Sequence, residues 1–205
     1  MDTMNKSGIM LLTSTGLSSK NVYDKFVEIK SSKDLEKAVM ITTASTDKEN
    51  NQYNQMGLSQ LKSAGIEVVD FYDFENDELK DLSSYDVIYV CGGNTFKLMK
   101  FAREANFDKD VKSLLERGGV YIGVSAGSLI VGSSIQIANE VHPDKNEVAL
   151  TDFSGFNITN LIIFPHYSLD IEEEIKSFEN TNNVKIERVG NSQAILVENG
   201  EKALV

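Results

Sequence analysis

Apolar residues along this chain fall into short runs, separated by longer segments in which they recur every three or four positions. Such short runs predict buried strands, and the helical spacing between them predicts helices with one buried face. The strands predicted in the first half cover residues 9–12, 38–42, 66–71 and 87–90. This alternation predicts a parallel sheet with helices on both faces, and a ligand site at the carboxyl edge of the sheet.

The second half of the chain has a different pattern. A strand at residues 120–122 leads into a turn of small residues, and another buried strand is predicted at 161–164. An acidic helix is predicted over 169–178, and two or three antiparallel strands over 184–205, with turns at Gly190 and Asn191 and at Asn199 and Gly200. With no linker, repeat or low-complexity segment in the sequence, residues 1–205 are expected to form a single domain.

The sequence Gly-Val-Ser-Ala-Gly at residues 123–127 lies where the strand at 120–122 meets the next predicted helix. A strand that turns sharply into a helix holds its corner residue in a strained conformation, with the side chain exposed above the sheet. Glycines two residues before and after the corner remove side chains that would collide there. Because Ser125 is at the corner, the pattern predicts a nucleophilic serine.

A nucleophilic serine needs a base, which is usually a histidine that a carboxylate orients. The chain has two histidines. His166 follows a predicted buried strand, at the edge where Ser125 is expected, whereas His142 precedes a proline in a polar segment. His166 is therefore the predicted base. The alternative is a histidine at a strand end whose ring is hydrogen-bonded to the backbone.

Glu140 is the predicted orienting acid. It lies between Ser125 and His166, in the order serine, acid, histidine that α/β-hydrolases also show. Asp152 and Asp170 compete with it on spacing. A carboxylate in a polar segment is most often simply solvated, and that alternative stays open.

Gly92 and Gly93 follow the strand at 87–90 and precede a predicted helix. Backbone N–H groups at such a turn can hold an anion or a developing oxyanion. The alternative is a tight connection that only needs a positive φ. Cys91, just before the glycines, is expected to be the buried last residue of the strand rather than a nucleophile.

Composition narrows the function classes. A formal net charge of −11 argues against nucleic acid or an anionic membrane surface as a partner, and no apolar run is long enough to span a bilayer. The N-terminus lacks a signal-peptide pattern, and a single cysteine fits a reducing cytoplasm. One cysteine and two histidines argue against a Cys/His zinc site. Composition leaves a carboxylate-rich metal site open, but no metal is expected.

Four segments together resemble the dipeptidase E family of serine peptidases, which includes α-aspartyl dipeptidases and is related to cyanophycinases. They are Ile-Thr-Thr-Ala-Ser at 41–45, Cys-Gly-Gly-Asn-Thr-Phe at 91–96, Gly-Val-Ser-Ala-Gly-Ser at 123–128 and Phe-Pro-His-Tyr at 164–167, in family order and over nearly the whole chain. The resemblance implies a three-layer α/β sandwich of the flavodoxin-like or class I glutamine amidotransferase-like type. It also implies a serine peptidase without a cofactor.

The resemblance carries roles over to particular residues. It implies that Ser125 is the nucleophile and His166 the base, and that Glu140 stands where dipeptidase E itself has an aspartate. It further implies oxyanion N–H groups from Gly93 and Ala126, and substrate contacts from Gly92, Asn94 and Thr95.

One departure from the family concerns specificity. Aspartyl dipeptidases are expected to bind the acidic side chain of the substrate with an arginine after the histidine, and here no arginine follows His166 before Arg188. An acidic side chain would also meet the carboxylates of residues 172–174, unless Lys176 or another cation intervenes. The resemblance therefore implies that this chain has the peptidase chemistry of the family, whereas cleavage of Asp-X bonds stays open.

The sequence therefore predicts a cytoplasmic serine peptidase that hydrolyses small peptides through an acyl-enzyme, in no specified oligomeric state. Two alternatives stay open. One is a related acyl hydrolase, such as an esterase or isopeptidase. The other is a protein of the same fold that binds a small ligand without turnover.

Overall fold

The computed structural model describes residues 7–205. Its strands are β1 (Ile9–Thr13), β2 (Lys37–Ile41), β3 (Val68–Tyr72), β4 (Val87–Val90), β5 (Val120–Val124), β6 (Ile163–Phe164), β7 (Glu187–Arg188), β8 (Ala194–Glu198) and β9 (Glu201–Leu204). Its α-helices are α1 (Lys20–Ser32), α2 (Gln52–Ser63), α3 (Thr95–Glu104), α4 (Phe107–Glu116), α5 (Ala126–Ile130), α6 (Ile137–Glu140) and α7 (Glu172–Asn182). Short 3₁₀ turns lie at Lys48–Asn50 and Leu169–Ile171.

Seven strands form the main sheet, in the order β3-β2-β4-β5-β1-β8-β9. The first five strands of the chain run parallel to one another, and β8 and β9 are added in antiparallel pairing beyond β1. The prediction of a mostly parallel α/β sheet with antiparallel strands near the C-terminus is confirmed.

Helices cover both faces of this sheet. Along β1, Ile9 and Leu11 point into one hydrophobic core, and Met10 and Leu12 point into the other. This alternation follows from the two-residue repeat of a strand. Apolar side chains of α1 and α2 complete the first core, and those of α3, α4, α5 and α7 complete the second. The result is the predicted three-layer sandwich.

One feature of the predicted tail is wrong. The first tail strand, β7, pairs in parallel with β6 in a separate two-stranded sheet, instead of joining an antiparallel set. The connection between β6 and β7 contains α7, and a helical crossover returns the chain in the direction of the first strand. The turn at Asn199 and Gly200 is confirmed: both residues have positive φ, and they join the antiparallel strands β8 and β9.

The carboxyl edge of the sheet is where chain segments from both halves meet. The parallel strands β1, β4 and β5 all end there. Because β8 runs antiparallel to β1, with Ala194 opposite Thr13, β8 begins at the edge where β1 ends. The turn before β8 therefore lies at the same edge as the loops after the parallel strands. Within residues 7–205 there is no helix with the length and apolar character needed to cross a membrane.

Candidate active site

Ser125 occupies a sharp corner between β5 and α5. Its backbone has φ 50° and ψ −109°, a region that non-glycine residues rarely occupy. The corner is held because the Ser125 amide donates to the Thr13 carbonyl at 2.9 Å, and the Ser125 carbonyl accepts from the Ser128 and Leu129 amides. The sequence prediction placed Ser125 at such an elbow, and the backbone geometry has this form.

Small residues let the strand and helix approach closely at this elbow. A Cβ atom on Gly123 would lie 2.7 Å from the Gly127 carbonyl oxygen, and one on Gly127 would lie 2.5 Å from the Val90 carbonyl oxygen, so a side chain at Gly123 would force the elbow apart and one at Gly127 would push α5 away from β4. The buried Ser128 hydroxyl accepts from the Thr13 amide at 2.8 Å and lies within hydrogen-bond distance of the Thr13 and Gly123 carbonyls. Ser128 thereby ties β1, β5 and α5 together directly beneath Ser125.

His166 lies next to Ser125. Its Nε2 is 3.1 Å from the Ser125 Oγ, as a base for that hydroxyl requires. The backbone of His166 has a φ of 58°, and its amide donates to the Ser14 hydroxyl, which in turn donates to the Val189 carbonyl. Loops from three parts of the chain therefore fix the position of the imidazole. The structure brings together the two residues that the sequence predicted as nucleophile and base.

The other ring nitrogen of His166 faces an amide and not a carboxylate. Nδ1 of His166 lies 2.7 Å from Oδ1 of Asn191, in the turn before β8. An amide oxygen can only accept, so Nδ1 carries the ring proton and Nε2 is left free to accept from Ser125. The expectation that Glu140 takes this place is not met.

Glu140 is exposed at the end of α6, where its carboxylate accepts a hydrogen bond from the Gln136 side chain at 2.6 Å. The two residues are four apart, and residues at that spacing are neighbours on a helical surface. The other candidate acids are also engaged elsewhere. Asp152 pairs with Arg103 and accepts from the Ser154 amide, and hydrogen bonding with Ser168 holds the pKa of Asp170 below its usual value.

The turn that presents Asn191 is rigidly connected. The Gly190 amide donates to the Gln193 side chain, and the Gln193 amide donates back to the Gly190 carbonyl. The backbone carbonyl of Asn191 accepts from the Thr15 hydroxyl at 2.7 Å. The loop after β1 therefore holds this turn in position, and with it the distance from Asn191 to the imidazole of His166.

Two backbone amides beside Ser125 are available for an oxyanion. No described residue accepts a hydrogen bond from the N–H of Gly93 or of Ala126, the first residue of α5. Gly93 has a φ of 138°, and a Cβ there would lie 2.0 Å from the Ala44 carbonyl oxygen, so only glycine fits. Gly92 packs against the nucleophile, since a Cβ on it would be 3.2 Å from the Ser125 Cβ. These positions agree with the roles that the resemblance implied.

Asn94 and Thr95, which were expected to contact substrate, have structural roles. The Asn94 side chain caps α3 by accepting from the Lys97 amide, and it donates to the Lys145 carbonyl. Both ends of its amide are therefore occupied. Thr95 is buried, and its amide donates to the Asp144 carboxylate. Thr95 lines a small cavity beside Ser125, but Asn94 lines neither of the two cavities at the site.

Comparison with known proteins matches residues 10–205 to the model of peptidase family S51. An uncharacterized peptidase of Listeria monocytogenes is 30% identical over 192 residues, which cover 92% of this chain and 91% of that protein. This chain belongs to peptidase family S51. It is therefore an enzyme, a serine peptidase, as the sequence analysis predicted.

Further relatives of this S51 peptidase support the same family. Peptidase E of Escherichia coli is 28% identical over 139 residues, which cover 66% of this chain and 57% of that protein. A crystal structure from Listeria monocytogenes, assigned as a Peptidase E protein, has a TM-score of 0.76 and 26% identity, with 97% of each chain covered. A peptidase from an acI-B1 Actinobacterium shares the fold, with a TM-score of 0.68 at 15% identity.

Two cavities border Ser125 in this S51 peptidase. The large cavity, of about 1170 Å³, lies on the side of Gly92, Gly93 and Asn191. The small cavity, of about 240 Å³, has mostly apolar walls from α5 and α6, with His142 and Asp144 among its lining. Ser125 and His166 line both cavities, so a substrate can extend to either side of the nucleophile. Within residues 7–205, no cluster of histidine, cysteine, aspartate and glutamate is arranged to hold a metal ion.

Proposed function

We propose that this S51 peptidase hydrolyses small peptides with Ser125 as nucleophile, His166 as general base and Asn191 as the residue that orients His166. The observation that carries the proposal is the hydrogen-bonded chain from Ser125 Oγ to His166 Nε2, and from His166 Nδ1 to Asn191 Oδ1. Geometry of this kind defines a catalytic triad independently of fold or sequence order, and an asparagine serves as the third member in some cysteine peptidases.

In the first half of the reaction, the Ser125 oxygen attacks the scissile carbonyl carbon while Nε2 of His166 takes the hydroxyl proton. The amides of Gly93 and Ala126 donate to the oxyanion that forms. When this intermediate collapses, the C–N bond breaks and the leaving amine takes the proton from Nε2. The acyl group remains on Ser125 as an ester.

In the second half, water attacks this ester and Nε2 of His166 accepts a proton from the water. The C–O bond to Ser125 then breaks, the serine recovers its proton from His166, and the carboxylic acid product leaves. Throughout, the Asn191 oxygen keeps the ring proton on Nδ1. It stabilises the transient imidazolium with an amide dipole and without a full negative charge.

Labelling with a fluorophosphonate probe tests the activated serine. We expect the wild-type enzyme to be labelled at Ser125 and the Ser125→Ala variant to remain unlabelled. Ser31→Ala is a matched control, because Ser31 is exposed on α1 and donates only to the Val27 carbonyl. Equal labelling of the wild type and Ser125→Ala, or no labelling of either, would contradict the proposal; the second result favours a ligand-binding protein of this fold.

The cytoplasm remains the proposed location. The single thiol, Cys91, is fully enclosed beneath the site, and burial raises the pKa of Cys91 well above its ordinary value. A thiol in that state resists oxidation and has no partner cysteine, so the fold has no need of an oxidising compartment. Measuring which cell fraction holds the activity tests this location.

A further inference from the structure

The large cavity beside Ser125 has no charged wall. None of the described residues that line it is aspartate, glutamate, lysine or arginine, although a quarter of the chain belongs to those types. The lining consists mainly of serine, threonine, asparagine, glutamine and tyrosine side chains, together with glycine backbone. The chain as a whole has a formal net charge of −11, so the neutral lining differs from its average composition.

Two titratable groups at the floor of this cavity stay neutral. Tyr89 and Cys91 are both buried at the floor, and burial raises the pKa of each well above its ordinary value. Desolvation penalises the charged form of both groups, so the floor carries a hydroxyl and a thiol over the pH range in which the enzyme works.

Two polar side-chain atoms of the lining have no protein partner and can bind a ligand. The Asn54 side chain donates both of its N–H groups, to the Ser45 hydroxyl and to the Lys48 carbonyl, and no described residue donates to its Oδ1. No described residue is hydrogen-bonded to the Tyr89 hydroxyl, and this atom is open to the cavity, because no buried side-chain N or O atom of the described residues lacks a partner. Both atoms are open to the cavity, where a hydrogen-bonding group of a ligand can replace water as their partner.

The position of the large cavity indicates that it takes the acyl half of the substrate. Gly93, whose amide is proposed to bind the oxyanion, lines this cavity and not the small one. The carbonyl oxygen belongs to the acyl half of a peptide, and so the large cavity adjoins the residue whose carbonyl Ser125 attacks. The small cavity, lined by Pro165 and Ser168 and not by Gly93, is then left for the half of the substrate that carries the leaving amine.

We propose that the large cavity selects an uncharged, hydrogen-bonding side chain, such as that of asparagine, glutamine, serine or threonine, on the acyl side of the scissile bond, and that it rejects aspartate. This inference rests on the proposed peptidase function. A carboxylate bound in the cavity would exchange part of its water shell for neutral groups and would find no lysine or arginine among the lining residues, which costs free energy. A neutral side chain with both a donor and an acceptor satisfies Asn54 Oδ1 and the Tyr89 hydroxyl.

The dipeptides Asn-Leu and Asp-Leu provide the test, because they differ by one amide group and the charge. We expect kcat/KM for Asn-Leu to exceed that for Asp-Leu by on the order of a hundredfold. Tyr89→Phe should lower the ratio of kcat/KM for Asn-Leu over Ala-Leu by about tenfold, since it removes one hydrogen-bonding group. Equal rates on Asn-Leu and Asp-Leu, or a preference for Asp-Leu, overturn the inference.

A pair of charge variants separates the cavity from the overall charge of the protein. Met56 lies at the mouth of the cavity, and Leu79 is 83% exposed and lines neither cavity. Met56→Arg should raise kcat/KM for Asp-Leu by about tenfold, whereas the control Leu79→Arg, with the same net charge, should leave it unchanged. A similar increase in both variants overturns the inference.

Failure of the inference can be told apart from failure of the proposed function. An enzyme that labels at Ser125 and cleaves Asp-Leu as fast as Asn-Leu keeps the function and loses the inference. An enzyme that labels but cleaves neither dipeptide also overturns the inference. Absence of both labelling and cleavage removes the proposed function, and the inference with it.

Discussion

Replacing Asn191 tests how a neutral residue supports the base. In Asn191→Ala, Nδ1 of His166 loses an acceptor at 2.7 Å, and the ring is free to rotate or to move its proton to Nε2. A net hydrogen bond of this kind is worth about 1.5 kcal/mol at most, which corresponds to roughly tenfold in rate. We expect kcat to fall by about that factor with little change in KM, because Asn191 acts on the base more than on the bound peptide.

The charge variant Asn191→Asp should act in the opposite direction. It places a carboxylate about 4 Å from the imidazolium charge that develops during the reaction, and a pair at that distance gains roughly 1 kcal/mol in a water-like medium. His166 and Asn191 are both exposed, so this value applies here and predicts a rate about fivefold above wild type. Faster turnover would distinguish an orienting role from a purely structural one.

The assay is the initial rate of Asn-Leu hydrolysis over a range of substrate concentrations, which separates kcat from KM. Glu140→Gln serves as the control, since Glu140 contacts Gln136 and not His166. The reasoning is refuted if Glu140→Gln lowers kcat by orders of magnitude, or if Asn191→Ala retains full activity. A slower Asn191→Asp would refute the charge calculation.

Three further predictions concern the elbow and an ion cluster. Ser128→Ala should lower the free energy of unfolding by about 2 kcal/mol in urea titrations, because it leaves a buried amide without its acceptor; an unchanged midpoint would contradict this. Gly92→Ala should lower kcat/KM about tenfold, since its methyl group would press on the Ser125 Cβ, and the melting temperature should show that the fold is intact. Hydrogen bonding with Arg188 holds the pKa of Glu179 below 4.5, so the pair stabilises the fold above that pH and the stabilisation is lost as the pH falls through the lowered pKa. The melting temperature should therefore fall more steeply between about pH 5 and pH 3 in the wild type than in Arg188→Met, and parallel curves would rule out the linkage.

The sequence predicted those parts of the molecule that depend on local pattern. The strand at 87–90 is β4 without change of bounds, and the elbow at Ser125 follows from small residues between a strand and a helix. His166 was predicted because it follows an apolar run that was expected to be a strand of the main sheet; that run forms β6, which pairs with β7 in the separate two-stranded sheet, and His166 nevertheless lies beside Ser125. For β4 and for the elbow, a short segment decides both the conformation and the place in the fold.

Asn191 could not be found in the same way. Its sequence predicted a turn and nothing more, because its importance depends on β8 running antiparallel to β1. That pairing brings the start of a strand to an edge formed otherwise by strand ends. Glu140 was favoured by the order of residues along the chain, but α6 turns its side chain towards Gln136. Pairing across distant segments, and not local pattern, decides which side chain reaches the imidazole.

The strained backbone at Ser125 sets thermal stability against activity at this position. Its φ and ψ lie in a region that only glycine adopts without strain, and the strain of a non-glycine residue there destabilises the fold by about 1–3 kcal/mol. Ser125→Gly should therefore raise the melting temperature while it abolishes activity, even after the greater freedom of glycine in the unfolded chain is deducted. Selection for a higher melting temperature alone would therefore favour the loss of Ser125. An inactive homologue with glycine at this position would have a higher thermal stability than the active enzyme, so selection for hydrolysis is what retains the serine.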